Sequence, residues 1–338
     1  MTRFIPFAGL ICQLLFIPQM ACASLVDRPE VKAFINEMVV EHNFNAEMLT
    51  RTFNKVKLSK SVIKAISRPA EARPWYEYRS IFLTRDRINL GVKFLQKNVQ
   101  ALMRAKQVYG VPVEIIVAII GVETRYGKHA GKYRVINSLS TLAFDYPKRS
   151  RFFRNELIQF LLMTREQQMD PESVRGSYAG AMGIPQFISS SYRNFAIDFD
   201  NDGKIDIWNN PADAIGSVGN YFKQHGWQAG KAIVTRAEVR NDSYLAALSK
   251  GLEPRMSVAD LSKYGIFPKQ KPSPGVNVKI LDYELKAGRE LWLGFNNFYV
   301  ITRYNHSALY AMAVYQLAEK IRAKYKAKIQ PEMSSNGI

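Results

Sequence analysis

The chain has 338 residues, room for two or three domains and a sizeable core. Its apolar share of 47% and charged share of 22% are ordinary for a globular protein. The net charge of +18 is not ordinary, and it narrows the expected partners to acidic ones: nucleic acid, a membrane surface or an anionic polymer.

Residues 1–23 read as an export signal. Arg3 supplies the positive start, Phe4 to Ile17 an apolar stretch broken by Pro6 and Gln13, and Ala21-Cys22-Ala23 a cleavage site. The run is short of the roughly 20 residues that a membrane-spanning helix needs. A periplasmic protein is therefore expected rather than a permanently anchored one. The only cysteines, Cys12 and Cys22, leave with the signal, and the loss of Arg3 brings the charge to +17. A thiol-free mature chain suits an oxidising compartment without using disulfides. The alternative is an outer-membrane lipoprotein with Cys22 as a lipid-modified N-terminus, the one route to a membrane. Gln19 is a poor residue three places before such a cysteine. Export argues against nucleic acid, and no basic-aromatic recognition motif is present.

From Asp27 to about Gly110 the pattern is helical. Asp27 and Pro29 mark a helix start, and Val31, Phe34, Ile35, Met38 and Val39 recur at helical spacing. After a break at Arg73-Pro74, Ile88, Val92, Leu95, Val99 and Leu102 form one apolar stripe closed by Gly110. Pro112 suits the first turn of the next helix. That helix runs to about Glu123 and is apolar on nearly all sides, which predicts burial. Further helices are expected over 152–164 and 212–224. Beyond Gly226, residues 231–239, 276–285 and 290–303 favour strands, separated by a Pro/Lys/Ser loop at 269–275. Helix returns from His306 to Lys324, and the basic run Lys320 to Lys328 reads as its solvated tail.

Within IIGVETRYG, Glu123 ends the most apolar segment of the chain. Burial disfavours its ionised form, and the negative end of the helix pushes the same way. A carboxyl kept protonated near neutral pH can serve as a general acid. The competing reading is a core glutamate paired with Arg125 or another base. Farther on, SYAGAMGIPQFISSSY, Ser177 to Tyr192, combines small residues, one amide and several hydroxyls. Such a stretch suits close approach to a sugar-like ligand, and suits a packing turn equally well.

With GVETRYG, SYAGAMG-x-x-QF, DAIGSVGNYF and FYVITRYNHS-x-x-YAMAV in order, the chain resembles the lytic murein transglycosylases of the B type from about Arg28 to Ala323. The resemblance implies an α+β, mainly α fold. It has a lysozyme-like catalytic core at 111–227, a helical domain at 24–110 completed by the helix at 306–325, a small β-containing domain at 228–303, and a C-terminal helix and tail over 304–338. It implies cleavage between N-acetylmuramic acid and N-acetylglucosamine without water, the muramyl C6 hydroxyl closing a 1,6-anhydro end. Glu123 matches the catalytic acid and base. Tyr78, Ser177, Gln186, Tyr221, Tyr304, Asn305 and Tyr310 match the cleft wall, although Tyr304 and Tyr310 at helical spacing also suit a core. Lys148 and Arg149 fall where the family carries basic residues near the stem peptide. The family often has two arginines there, so a bidentate contact from Lys148 is in doubt.

Asp198-Phe-Asp200-Asn-Asp202-Gly203 opens like a calcium loop, with the Lys204 carbonyl as a further ligand. Position twelve is Asn209 rather than Glu, and Asp213 would close an enlarged loop, as it does in the resembling family. Structural calcium is expected; a site suited to sodium, an empty site, or a solvated acidic turn are the alternatives. No organic cofactor is expected. Peptidoglycan strands, and other cell-wall enzymes, are the expected partners of a monomer. A lysozyme-type hydrolase would need a second carboxylate, for which Asp145 and Glu156 are unmarked candidates. A non-catalytic peptidoglycan-binding protein would need no acid at Glu123.

Overall fold

The computed structural model describes residues 24–67 and 73–335. The expected export signal with both cysteines, and the last three residues of the tail, lie outside them. The chain forms two compact units that divide between Val56 and Lys57, whereas the sequence pattern suggests a first boundary near Gly110.

The first unit is a helix pair. Helix α1 spans Pro29–His42, with proline in its first turn. Helix α2 spans Ala46–Asn54, and the Asn45 side chain accepts the Met48 N–H at 2.8 Å to cap it. Val31, Phe34, Met38, Leu49 and Phe53 are fully buried. The Phe34 and Phe53 rings meet edge-on with centroids 5.6 Å apart.

The second unit begins with α3 (Lys60–Ile66), α4 (Trp75–Phe82), α5 (Arg85–Lys97) and α6 (Val99–Tyr109). The single stripe expected from Ile88 to Leu102 is two helices. The break falls at Asn98, whose side chain turns back to donate to the Phe94 carbonyl at 2.9 Å. Helix α7 (Val113–Thr124) follows, and every residue from Ile115 to Gly121 is buried. It packs against α5, α6, α11 (Pro211–Gln224) and α13 (Ala308–Ser335). Neighbours on several sides explain why this helix carries no polar face. Strands β1 (Tyr133–Arg134) and β2 (Arg175–Gly176) pair, β1 packs against α8 (Val135–Asp145), and α9 (Ser150–Glu166) packs against both α8 and α10 (Ser189–Phe195).

A five-stranded antiparallel sheet follows in the order β4-β6-β7-β3-β5. Its strands are β3 (Val234–Val239), β4 (Met256–Ser257), β5 (Ile266–Pro268), β6 (Asn277–Glu284) and β7 (Arg289–Gly294). Ile280 lies opposite Leu293, and with Leu261, Ile266 and Val278 they form a core on one face. The strand expected over 290–303 stops at Gly294 and becomes helix α12 (Asn296–Tyr304). The buried Asn297 explains this override. Its side chain accepts the Gln228 N–H at 2.8 Å and donates to the Gln228 and Lys231 carbonyls at 2.8 and 3.0 Å. These bonds anchor the first turn of α12 against the entry to the sheet. Among the described residues no single helix is long and apolar enough to cross a membrane.

Candidate active site

Helix α7 ends because Arg125 adopts the left-handed conformation at φ 53°. The Arg125 and Tyr126 N–H groups then return to the Gly121 and Ile120 carbonyls. Glu123 is thereby held in the last turn, at the negative end of a buried helix. The turn closes because Gly121 has no side chain: a Cβ there would lie 2.5 Å from the Tyr126 hydroxyl, which instead reaches the Arg87 carbonyl at 2.9 Å.

Glu123 is partly accessible, yet the surrounding protein removes most of its hydration. Desolvation pushes its carboxyl up to about 7 from an ordinary 4.5. The opposing influence is Tyr310, whose hydroxyl donates to Glu123 Oε1 at 2.5 Å and favours the carboxylate. Arg125 does not neutralise Glu123; its guanidinium pairs with Asp86. The reading of Glu123 as a glutamate paired with Arg125 therefore fails on geometry. No second carboxylate is among the groups that shift Glu123. Glu156 is buried on α9 and accepts the Ser190 N–H and hydroxyl at 3.0 and 2.7 Å, holding the start of α10.

Two side chains hold the Ser177–Phe187 loop through consecutive carbonyls, Thr124 from this turn and Tyr304 from the end of α12. Thr124 Oγ1 donates to the Ile184 carbonyl at 2.8 Å and accepts the Gly127 N–H at 2.9 Å. The Tyr304 hydroxyl donates to the Pro185 carbonyl at 2.5 Å. Thr124 stands inside the quoted motif without a sequence-derived role; its only signal was its place beside Glu123. Gln186 has φ 54° and donates its amide N–H groups to the Ala130 and Gly183 carbonyls at 3.1 and 2.9 Å. At the other end of the loop, Ser177 Oγ accepts the Ala179 and Ala181 N–H groups at 3.3 and 3.1 Å.

The aromatic side of the site comes from four helices. Tyr310 on α13 is 2% exposed, and burial followed by the nearby Glu123 raises its pKa well above normal; Tyr304 and Tyr78 add to the rise. The Tyr304 and Tyr221 rings meet at 4.8 Å, and the Tyr221 hydroxyl donates to the Arg303 carbonyl at 2.6 Å. Burial pushes the Tyr221 hydroxyl up to about 12. Tyr78 on α4 packs against Phe82 at 5.2 Å. Asn305 is exposed at the turn between α12 and α13. Lys148 and Arg149 lie exposed in the turn Pro147–Arg149, with the Arg149 guanidinium 4.4 Å from the Phe152 ring centre. Among the described residues no side-chain hydrogen bond or ring contact joins these three to Glu123.

In the acidic loop, carboxylate oxygens of Asp198, Asp200 and Asp202 all lie within 4.8 Å of one another. Asp198 accepts the Asp202 and Gly203 N–H groups at 3.1 and 2.8 Å. Asp202 accepts the Lys204 N–H at 2.9 Å. The buried Asp213 stands outside this trio and accepts the Phe199 and Asp206 N–H groups at 2.7 and 2.8 Å. Its pKa is raised first by burial, with Asp200 and Asp198 contributing.

A desolvated carboxyl that no second carboxylate shifts, backed by tyrosines in a mainly helical unit with a small sheet, defines a lysozyme-like enzyme that acts on glycosidic bonds. The family described as "Transglycosylase SLT domain" matches residues 27–319. The chain is 42% identical over 305 residues to the membrane-bound lytic murein transglycosylase B of Escherichia coli K12, covering 87% of this chain and 83% of that one. Its fold is similar to the crystal structure of soluble lytic transglycosylase SltB1 from Pseudomonas aeruginosa, with a TM-score of 0.84, 51% identity, and 88% and 99% of the two chains covered. The Escherichia coli lytic transglycosylase Slt35 in complex with calcium gives a TM-score of 0.82 and 42% identity, with 89% and 96% covered. The chain belongs to the SLT family of lytic transglycosylases.

Proposed function

We propose that the chain cleaves the β-1,4 bond between N-acetylmuramic acid and N-acetylglucosamine in peptidoglycan and leaves 1,6-anhydromuramic ends. The observation that carries this reading is the solitary Glu123, protonated up to about pH 7 and bonded through one oxygen to Tyr310. With Oε1 occupied, Oε2 is the oxygen that carries the proton. Glu123 gives it to the glycosidic oxygen as the C1–O bond breaks. The resulting carboxylate then takes the proton of the muramyl C6 hydroxyl as that oxygen bonds to C1, which restores the acid. The substrate N-acetyl group stabilises the positive centre between these steps. No enzyme nucleophile and no base-activated water is needed, in keeping with a single carboxylate.

Tyr78, Tyr221, Tyr304 and Tyr310 would form the wall, and Ser177, Gln186 and Asn305 would orient the sugars. Lys148 and Arg149 would meet the carboxylates of the stem peptides, as would the basic surface at large. The earlier division into a helical domain, a catalytic core at 111–227 and a β-containing domain at 228–303 is retained as a partition of roles. The periplasm is the proposed site of action, reached through the export signal.

The acidic loop suits a hard cation, since its donors are all oxygen and three carboxylates converge. Asp198, Asp200, Asp202 and the Lys204 carbonyl would hold calcium. Asp213 would close the loop, because each of its oxygens keeps a lone pair beyond the amide that it accepts. The ion would supply charge neutralisation and stiffness to the loop, with no part in bond cleavage.

Mass analysis of muropeptides released from purified murein tests the reading. The wild type should yield products one water lighter than hydrolytic ones, and Glu123→Gln should slow release by about 10²–10⁴-fold or more. Hydrated reducing ends would refute transglycosylation, and undiminished cleavage by the variant would refute the role of Glu123.

A further inference from the structure

A groove of about 950 Å³ runs beside the catalytic loop without including Glu123 or any of the wall tyrosines. We infer that it is a second saccharide-binding groove, with Trp208 as its sugar platform and the cation loop as one of its walls. The inference rests on the glycan-cleaving reading above and extends it to a longer stretch of the strand.

The groove begins at Gly127, Ala130 and Gly131, on the segment that leaves Glu123. The Ala130 carbonyl is the one that Gln186 holds at 3.1 Å, so groove and cleft share a backbone segment. Gly131 lies so close to β2 that a Cβ would stand 2.1 Å from the Gly176 backbone, which fixes this edge of the groove. The opposite wall carries Trp208 and Asn209. Trp208 is partly exposed, and its indole cannot turn freely. Its Nε1–H donates to the Arg175 carbonyl at 3.1 Å, and Tyr192 packs against the ring at 5.7 Å. A preoriented aromatic face costs little entropy on binding and suits the apolar face of a sugar ring. Around it stand the side chains of Gln167, Gln168 and Asn209 with the cationic Arg175 and Lys204, and with Glu166, which is paired with Arg193, and Asp206. Amides match acetamido groups, and the two cations match stem-peptide carboxylates.

This wall is the second half of the acidic loop. Asp206 accepts the Trp208 and Asn209 N–H groups, both at 2.9 Å, and Asp213 accepts the Asp206 N–H at 2.8 Å. Two of the three clustered carboxylates, Asp198 and Asp202, accept the Gly203 and Lys204 N–H groups, where the wall begins. A cation held there stiffens the loop that presents Trp208, so sugar binding in the groove and cation binding in the loop favour each other.

The test uses the full chain carrying Glu123→Gln, with chitohexaose as an uncleaved probe in titration calorimetry. Two classes of site are expected in calcium. Trp208→Ala should weaken one class by about tenfold or more, equivalent to about 1.4 kcal/mol, and Trp208→Phe should recover much of it. EGTA should weaken that same class and leave the other unchanged. Should Trp208→Ala fail to fold, Asn209→Ala and Gln168→Ala, both exposed, should weaken the same class. A single class of site, or two classes indifferent to folded variants of Trp208, Asn209 and Gln168, overturns the groove. Weakening by the variants without any response to EGTA overturns its link to the cation loop. Loss of the groove class with intact murein cleavage by the wild-type chain leaves the functional reading standing; absent cleavage sinks that reading separately.

Discussion

Replacing Glu123 by Gln should make the protein more stable at pH 8 while destroying its activity. The folded protein holds this carboxyl at about 7 by desolvation, against 4.5 when ordinarily solvated. Folding therefore raises its proton affinity, so its contribution to stability is complete below pH 4.5 and is lost as pH rises towards and through 7. At about 1.4 kcal/mol per pH unit, the interval amounts to about 3 kcal/mol of destabilisation once both states are ionised. Glutamine fills nearly the same volume, keeps an oxygen to accept from Tyr310, and carries no charge to desolvate. Urea denaturation of wild type and Glu123→Gln at pH 4 and pH 8 measures the effect. The variant should gain about 3 kcal/mol at pH 8 and almost nothing at pH 4. Equal stabilities at pH 8, or the same difference at both values, would refute the claim that Glu123 is kept protonated by burial.

Tyr310→Phe removes the donor that favours the Glu123 carboxylate, so the carboxyl should hold its proton to higher pH. The alkaline limb of the kcat/KM profile should then move upward by about one pH unit, given the 1.5–3 kcal/mol typical of bonds to charged groups. A limb that stays in place would show that this bond does not tune the acid. Thr124→Val should cost about 1–3 kcal/mol in stability by leaving the Ile184 carbonyl and Gly127 N–H without their partner. It should also lower kcat, and a normal kcat would mean that the loop needs no tie to α7. Calcium at a hundredfold its Kd should add about 2.7 kcal/mol to stability. Thermal melting with calcium or EGTA measures this, and Asp200→Ala should abolish the difference.

Periodicity and cap chemistry alone placed helices α1, α7, α9, α11 and α13. The apolar run before Glu123 could only be a buried helix, and a carboxyl at its end could only be desolvated. Both inferences depend on the residues nearest in sequence, and both agree with the structure. The spans read as strands at 231–239 and 276–285 contain β3 and β6 for the same reason. The order of the four motifs was enough to suggest the family to which the chain belongs. Periodicity failed where a specific side-chain hydrogen bond, local or distant, outweighed propensity. Asn98 spends its side chain on the preceding turn and divides one stripe into two helices. Asn297 is anchored by backbone 66–69 residues away and turns a β-rich segment into α12. The pairing of Arg125 with Asp86 instead of Glu123 was equally out of reach, since both carboxylates were available to it in sequence. Tyr310 meets Glu123 across 187 residues, and no pattern within a helix specifies such a bond. The sequence by itself determined that an acid would be desolvated at a helix end. The tertiary structure decided which tyrosine holds it, which carbonyls tie the loop to it, and that no second carboxylate is among the groups that tune it, because those choices depend on chain segments that meet only after folding.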